Sequence, residues 1–228
     1  MDTSGIAGRI EAVRARIAGA AERAGRNPAN IKLVAVSKTF SADLVEQAIE
    51  AGLDDLGENR IQEAIPKIQT VTDWCRAIER APPTWHLVGH LQRNKVKAVL
   101  DHFAILQSLD SLRLAEALNE RAARPLPVYL EVNVSAEPQK FGFAPAQVNG
   151  ALAAIARLHH LRPVGLMIVA AQAEDDVVRR AFRELRELRD ANGLKELSMG
   201  MTGDFEIAIE EGSTCVRVGR AIFGERPT

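Results

Sequence analysis

Eight short apolar runs, each followed by a stretch of helical period, most constrain what this chain can fold into. The clearest is IKLVAV (31–36), a β-branched run bounded by turn residues that reads as a buried strand. DDLG (54–57), WHLVG (85–89), FAILQS (103–108), PVYLEVNV (127–134), VGLMIV (164–169), KELSM (195–199) and TCVRVG (214–219) repeat the pattern, with DDLG the shortest signal. Between them the apolar period changes. Over 176–191, Val178, Phe182, Leu185 and Leu188 share one helix face opposite a run of Arg and Glu. Ser41 is placed to cap a helix over 42–51 that Gly52 ends. Ahead of the first strand, Ile6, Ile10, Val13 and Ile17 stripe a further helix over 4–24, stopped by Gly25 and Pro28. Apolar strands without strict alternation, each followed by a helix, indicate a parallel sheet covered by helices. Eight such units predict an α/β fold closed into a single (β/α)8 TIM-type barrel with an extra N-terminal helix. The length of 228 residues suits one such domain over 1–228.

Charge narrows the function classes. Lys plus Arg (29) nearly cancels Asp plus Glu (30), so no global field draws the chain to nucleic acid or an anionic membrane. Aromatics at 4% also weaken any base-stacking role. Cys75 and Cys215 lie far apart and form no CxxC pair, too few for a stapled secreted framework, so a reducing cytoplasm is expected. MDTSGIAGRIEAVRARIAGA interrupts its apolar positions with charges, unlike a signal peptide or a membrane span. The expectation is a soluble, cytoplasmic monomer.

In a parallel barrel, functional residues gather at the C-terminal strand ends and the loops that follow. Unusual polar residues collect there: Ser37 and Lys38, Glu58 and Asn59, then His90, Gln92 and Asn94, and further on Asn133, Ser198 and Arg217. Lys38 follows an apolar strand. A lysine desolvated at a barrel mouth can have its pKa lowered by as much as ~3–5 units, leaving a neutral amine able to attack an aldehyde. Position alone also fits an ordinary solvated rim lysine. Gly200, Gly203 and Gly219 loosen the backbone after the last two strands, where barrels commonly bind phosphate through backbone N–H groups, and Ser198 could add a hydroxyl donor. Two plain glycine turns are the alternative. Arg217, between Val216 and Val218, faces opposite to both. A pyridine nitrogen, a phosphate or a neighbouring carboxylate would serve as its acceptor. His86 and His90 have an H-x-x-x-H spacing, but Leu87 stands where a zinc motif needs Glu and Gly89 breaks any helix, so no metal site is expected. Cys215 reads as a core thiol and Cys75 as a helix-packing residue.

Several longer segments carry a resemblance. LVAVSKT around Lys38, GENRIQEA (57–64), WHLVGHLQRNK (85–95), EVNVSAEPQKFGF (131–143), VGLMIV (164–169), LSMGMTGDFEIAI (197–209) and GSTCVRVGRAIFG (212–224) occur in order over nearly the whole chain. Together they resemble the pyridoxal phosphate homeostasis proteins, single-domain relatives of the alanine racemase barrel (a fold-type III barrel). The resemblance implies pyridoxal 5′-phosphate (PLP) as cofactor, carried as a Schiff base on Lys38. It places Ser198, Gly219 and Arg220 at the phosphate, Arg217 at the pyridine nitrogen and Asn59 close to the ring. It further implies a protein that buffers or delivers PLP without catalysis, with apo PLP-dependent enzymes as recipients. The chain departs from the family pattern in three places. Arg220 stands where a serine or threonine is frequent, so a hydroxyl contact is lost there. Thr39 and Phe40 follow Lys38 where some members carry a further lysine, and Thr202 and Gly203 replace a frequent Ser-Asp.

The rival reading is a PLP-dependent amino-acid racemase or decarboxylase on the same barrel. An arginine at the pyridine nitrogen keeps its proton and makes a weaker electron sink than an acidic partner would. The only tyrosine, Tyr129, falls inside strand five, so no obvious second base is present. A cofactor-free Schiff-base aldolase is a more distant rival. Lys140, in the loop after strand five, is a candidate second amine for moving the cofactor between Lys38 and the outside, or else a solvated loop lysine.

Overall fold

The computed structural model describes residues 5–135, 137 and 140–225. The eight strands are β1 (Lys32–Val36), β2 (Asp55–Glu58), β3 (Thr84–Leu87), β4 (Ile105–Leu109), β5 (Leu126–Glu131), β6 (Leu161–Met167), β7 (Glu196–Ser198) and β8 (Cys215–Val218). They pair in parallel in sequence order and β8 closes on β1, with Val34 beside Arg217 and Ala35 beside Val218. The expected barrel is present, down to the short β2, because every strand is apolar enough to be covered on its outer face by a helix.

The covering helices are α1 (Ile6–Arg23), α2 (Ala42–Glu50), α3 (Ile61–Ala77), α4 (Val96–His102), α5 (Leu112–Arg121), α6 (Val148–Ile155), α7 (Asp175–Ala191), α8 (Phe205–Glu210) and α9 (Arg220–Phe223). The stripe of α1 is buried at Ile6, Ile10, Val13 and Ile17, and this extra helix packs on α2, α8 and α9. On α7, Val178, Phe182 and Leu185 are buried, while Leu188 is half-buried against the same core. Gly52 ends α2 with φ of 84°, a left-handed turn that suits glycine. Ser41 precedes α2 but makes no side-chain cap, contrary to the expectation; its extended backbone opens the helix without its hydroxyl.

Strand ends differ from the sequence reading most at β5 and β6. β5 stops at Glu131 instead of running to 134, because the chain folds back: Val132 bridges Phe143, and Asn133 N–H donates to Phe143 O (2.9 Å). The return passes through Gly142 at φ 114°, where a Cβ would lie 2.8 Å from Glu131 O. β6 begins at Leu161, three residues earlier than its apolar run, because Arg162 and Pro163 still pair with β5.

The main apolar core lies between strands and helices. Val34, Val36, Tyr129, Met167 and Cys215 are buried yet stand apart from it, inside the barrel. Barrel interiors are mostly filled by branched apolar side chains. Here His86, Gln107, Ser198 and Arg217 are buried there as well. That polar filling is affordable only with every group hydrogen-bonded, since an unpaired buried polar group costs about 1–3 kcal/mol.

Candidate functional site

The β1–β8 seam sets the turn at Gly219 against the end of the strand that leads into Lys38. Lys38 lies two residues beyond the end of β1 and is half-buried. A Cβ on Gly219 would stand 3.1 Å from Val36 O, so the chain after β8 passes tightly against the end of β1. Phe40 stacks on Phe223 (ring centroids 5.2 Å apart), which ties the β1 loop to α9. Directly after Lys38, Thr39 holds φ at 70°. A β-branched residue there is strained by about 1–3 kcal/mol, the kind of strain that collects at functional sites.

Beneath this loop, Glu58 is fully buried and Lys67 nearly so. Lys67 Nζ donates to Glu58 Oε1 and to Ser37 O, both at 2.7 Å, and Ser37 Oγ donates to the same carboxylate oxygen (2.7 Å). The residue before Lys38 is thus fixed by a buried ion pair. Asn59 follows, packed against Gly89, where a Cβ would fall 2.4 Å from Asn59 O. Gly89 is therefore part of what positions Asn59.

Arg217 is buried at the mouth end of the barrel interior. Its Nη1 donates to Ser198 Oγ (2.6 Å) and its Nη2 to Ile168 O (2.7 Å). Among the described residues no carboxylate lies within ion-pair distance of it. Burial pushes its guanidinium below the usual arginine range, opposed by Cys215, Asp204 and Glu131. Ser198 is fully buried, and its one proton goes to Gln107 Oε1 (2.6 Å). Arg220 is exposed. Cys215 is a buried thiol, as expected, but inside the barrel, its pKa raised by burial.

The rim opposite the seam is stitched together by other groups. His90 Nδ1 pairs with Asp110 (2.8 Å), and the His90 ring stacks on Phe141 with centroids 3.7 Å apart. Asn133 Nδ2 donates to Glu137 O (2.9 Å), and Lys140 Nζ is ion-paired with Glu137 (2.7 Å). Beside this loop lies a cavity of about 510 Å³ between the ends of β5 and β6 and α7, lined by Glu131, Asn133, Lys140, Phe141, Ile168 and Arg180 among others. Gln92 and Asn94 are exposed. His86 and His90 do not converge: His86 points inward to Asp55 and Gln107.

Sequence reasoning missed Lys67, Gln107, Glu131 and the inward role of His86. The available signal was parity: His86 between Trp85 and Leu87, and Gln107 in ILQSL, are polar residues at inward positions of buried strands. Glu131 has a titration of its own. Burial, reinforced by Asp110 and opposed by Arg217, raises its pKa from the ordinary 4.5 to about 7. The folded state therefore binds the extra proton, so stability is full below about pH 4.5 and falls as pH rises through about 7. In Glu131→Gln, melting temperature relative to the parent protein should rise between those two pH values and level off above. A difference independent of pH would remove Glu131 as the titrating group.

The model for the alanine racemase N-terminal domain matches residues 9–227, which sets the class of the barrel. A pyridoxal phosphate homeostasis protein from Pseudomonas aeruginosa is 44% identical over 229 residues, covering 98% of this chain and 96% of its own. A crystal structure of a protein from Bifidobacterium adolescentis superposes with a TM-score of 0.90 at 39% identity, over 95% of this chain and 94% of that one. PipY of Synechococcus elongatus, solved with PLP bound, gives 0.79 at 33% identity over 96% and 100%. The chain belongs to the pyridoxal phosphate homeostasis protein family.

Proposed function

We propose that this chain binds PLP on Lys38 and buffers or delivers it to apo-enzymes, without turnover of its own. The observation that carries the reading is the β1–β8 seam, where the side-chain-free turn at Gly219 packs tightly on the end of β1, two residues before Lys38. The residues present fit the group. Lys38 would hold it covalently, the backbone N–H groups of Gly219 and Arg220 would take the phosphate, and Asn59, held by Gly89, would lie at the ring. Arg217 would face the pyridine nitrogen with the donors it does not spend on Ser198 and Ile168. Ser198 could reach a phosphate only by withdrawing its proton from Gln107. When bound, PLP supplies an aldehyde that condenses reversibly with a primary amine and releases water. Exposed Arg220 adds positive charge near the phosphate, in place of a hydroxyl. Lys140 would have to leave Glu137 before its amine could take over the cofactor.

If the phosphate is held at Gly219, pyridoxal should bind far more weakly than PLP, since each charge-assisted hydrogen bond is worth about 1.5–3 kcal/mol. Equal affinity in a spectroscopic titration would rule that site out.

Tyr129 supports a role without turnover. Its hydroxyl donates to Glu196, the first residue of β7 at the barrel floor, and burial raises its pKa far above the usual range. It is in no position to serve as a base at the mouth. The racemase or decarboxylase reading has one observation in its favour: Glu131, near neutrality, lies at the mouth. Incubation with PLP and common amino acids decides between the two. No racemisation or decarboxylation is expected, and steady turnover lost in both Lys38→Ala and Glu131→Gln would replace this reading with the enzyme.

A further inference from the structure

A chain of buried polar groups crosses the barrel from mouth to floor. Arg217 Nη1 donates to Ser198 Oγ (2.6 Å), which donates to Gln107 Oε1 (2.6 Å). Gln107 Nε2 lies 2.8 Å from His86 Nδ1, and His86 Nε2 lies 2.8 Å from Asp55 Oδ1. Asp55 opens β2 and also pairs with Lys32, the first residue of β1, at 3.4 Å.

The chemistry of the two ends and the orientation of the Gln107 amide together give every link its direction. Arginine can only donate, so Ser198 Oγ accepts from Arg217, and with the Gln107 carbonyl facing it the serine's single proton goes there. The Gln107 amide nitrogen then faces His86, whose Nδ1 must be bare. The imidazole proton therefore sits on Nε2, where an aspartate, which only accepts, receives it. This demands a neutral histidine. Burial lowers the His86 pKa, opposed by Asp55, in keeping with that state. Neither an amide nor a guanidinium releases protons readily, so the chain orients groups rather than conducting protons.

We infer that Asp55, His86, Gln107 and Ser198 are positioning residues that fix the guanidinium of Arg217 at the barrel mouth. The inference rests on the reading that Arg217 meets the pyridine nitrogen of PLP. It also gives Ser198 a different task from phosphate binding: its hydroxyl acts through Arg217.

The test compares PLP with the analogue whose ring nitrogen is replaced by CH, in the parent protein, in Gln107→Met and in Asp55→Ala. Gln107→Met keeps side-chain length while removing both amide links; Asp55→Ala acts from the partly exposed floor. The parent should prefer PLP by about tenfold or more, the worth of one charge-assisted hydrogen bond. Gln107→Met should lose most of that preference, and Asp55→Ala should lower it in the same direction. General loosening of the core would weaken both ligands equally and leave the ratio intact. An unchanged ratio in both variants, with PLP still taken up, overturns the relay alone. A parent protein that takes up no PLP overturns the cofactor reading and the relay together.

Discussion

Lys38→Ala should lose the visible chromophore of the PLP-loaded protein and the pyridoxyl label that borohydride is expected to fix in the parent. The expectation follows from the seam. A borohydride-reducible imine needs a primary amine, and Lys38 follows the strand end on which the Gly219 turn packs. Strain at Thr39 and the Phe40–Phe223 stack hold the loop that presents it. The fold should survive, because Lys38 is half-buried and belongs to no strand. Peptide mapping of the reduced parent checks the assignment directly. A label found mainly on Lys140 or Lys67 would transfer the role to that residue.

Much of this was legible in the sequence because the relevant signals are local. Eight apolar runs give eight strands, and a lysine directly after the first must lie at the mouth of a parallel barrel. Chain order alone puts β8 beside β1 once the sheet closes, so the end of β1 that leads into Lys38 meets the Gly219 turn without any knowledge of side-chain contacts. What could not be read were pairings across the interior. Gln107 bonds His86 and Ser198, residues 21 and 91 positions away, and nothing local marks a glutamine in a strand as a connector. Ser198 shows the same limit. A serine at the end of β7 reads as a donor to phosphate, yet its proton goes to Gln107 Oε1 while its oxygen accepts from Arg217. The glycine positions were legible as turns, but that Gly89 makes room for Asn59 depends on how two loops meet.

The buried pair beneath Lys38 should dominate stability among single substitutions at the site. Lys67 reaches from α3 to Glu58 Oε1, and the pair is 8% and 0% exposed. The other carboxylate oxygen, Glu58 Oε2, is buried with no hydrogen-bond partner among the described residues. Lys67→Met leaves an uncompensated charge in the interior, which costs about 3–5 kcal/mol. For a chain of this size, melting temperature falls by about 2–4 °C per kcal/mol, so a drop on the order of 10 °C is expected. Removing both charges is a different matter, because well-packed neutral side chains can replace a buried pair at little cost. Glu58→Gln combined with Lys67→Met should therefore recover most of the loss, a coupling that a double-mutant cycle reads directly. The variants should separate in function as well. Lys67→Met frees Ser37 O from one of its bonds next to Lys38, so PLP uptake should weaken even at temperatures where the variant is folded. A loss below about 1 kcal/mol in Lys67→Met, outside the range for breaking a buried pair, would show that Glu58 finds water or another partner there and that the pair does not hold the Lys38 loop.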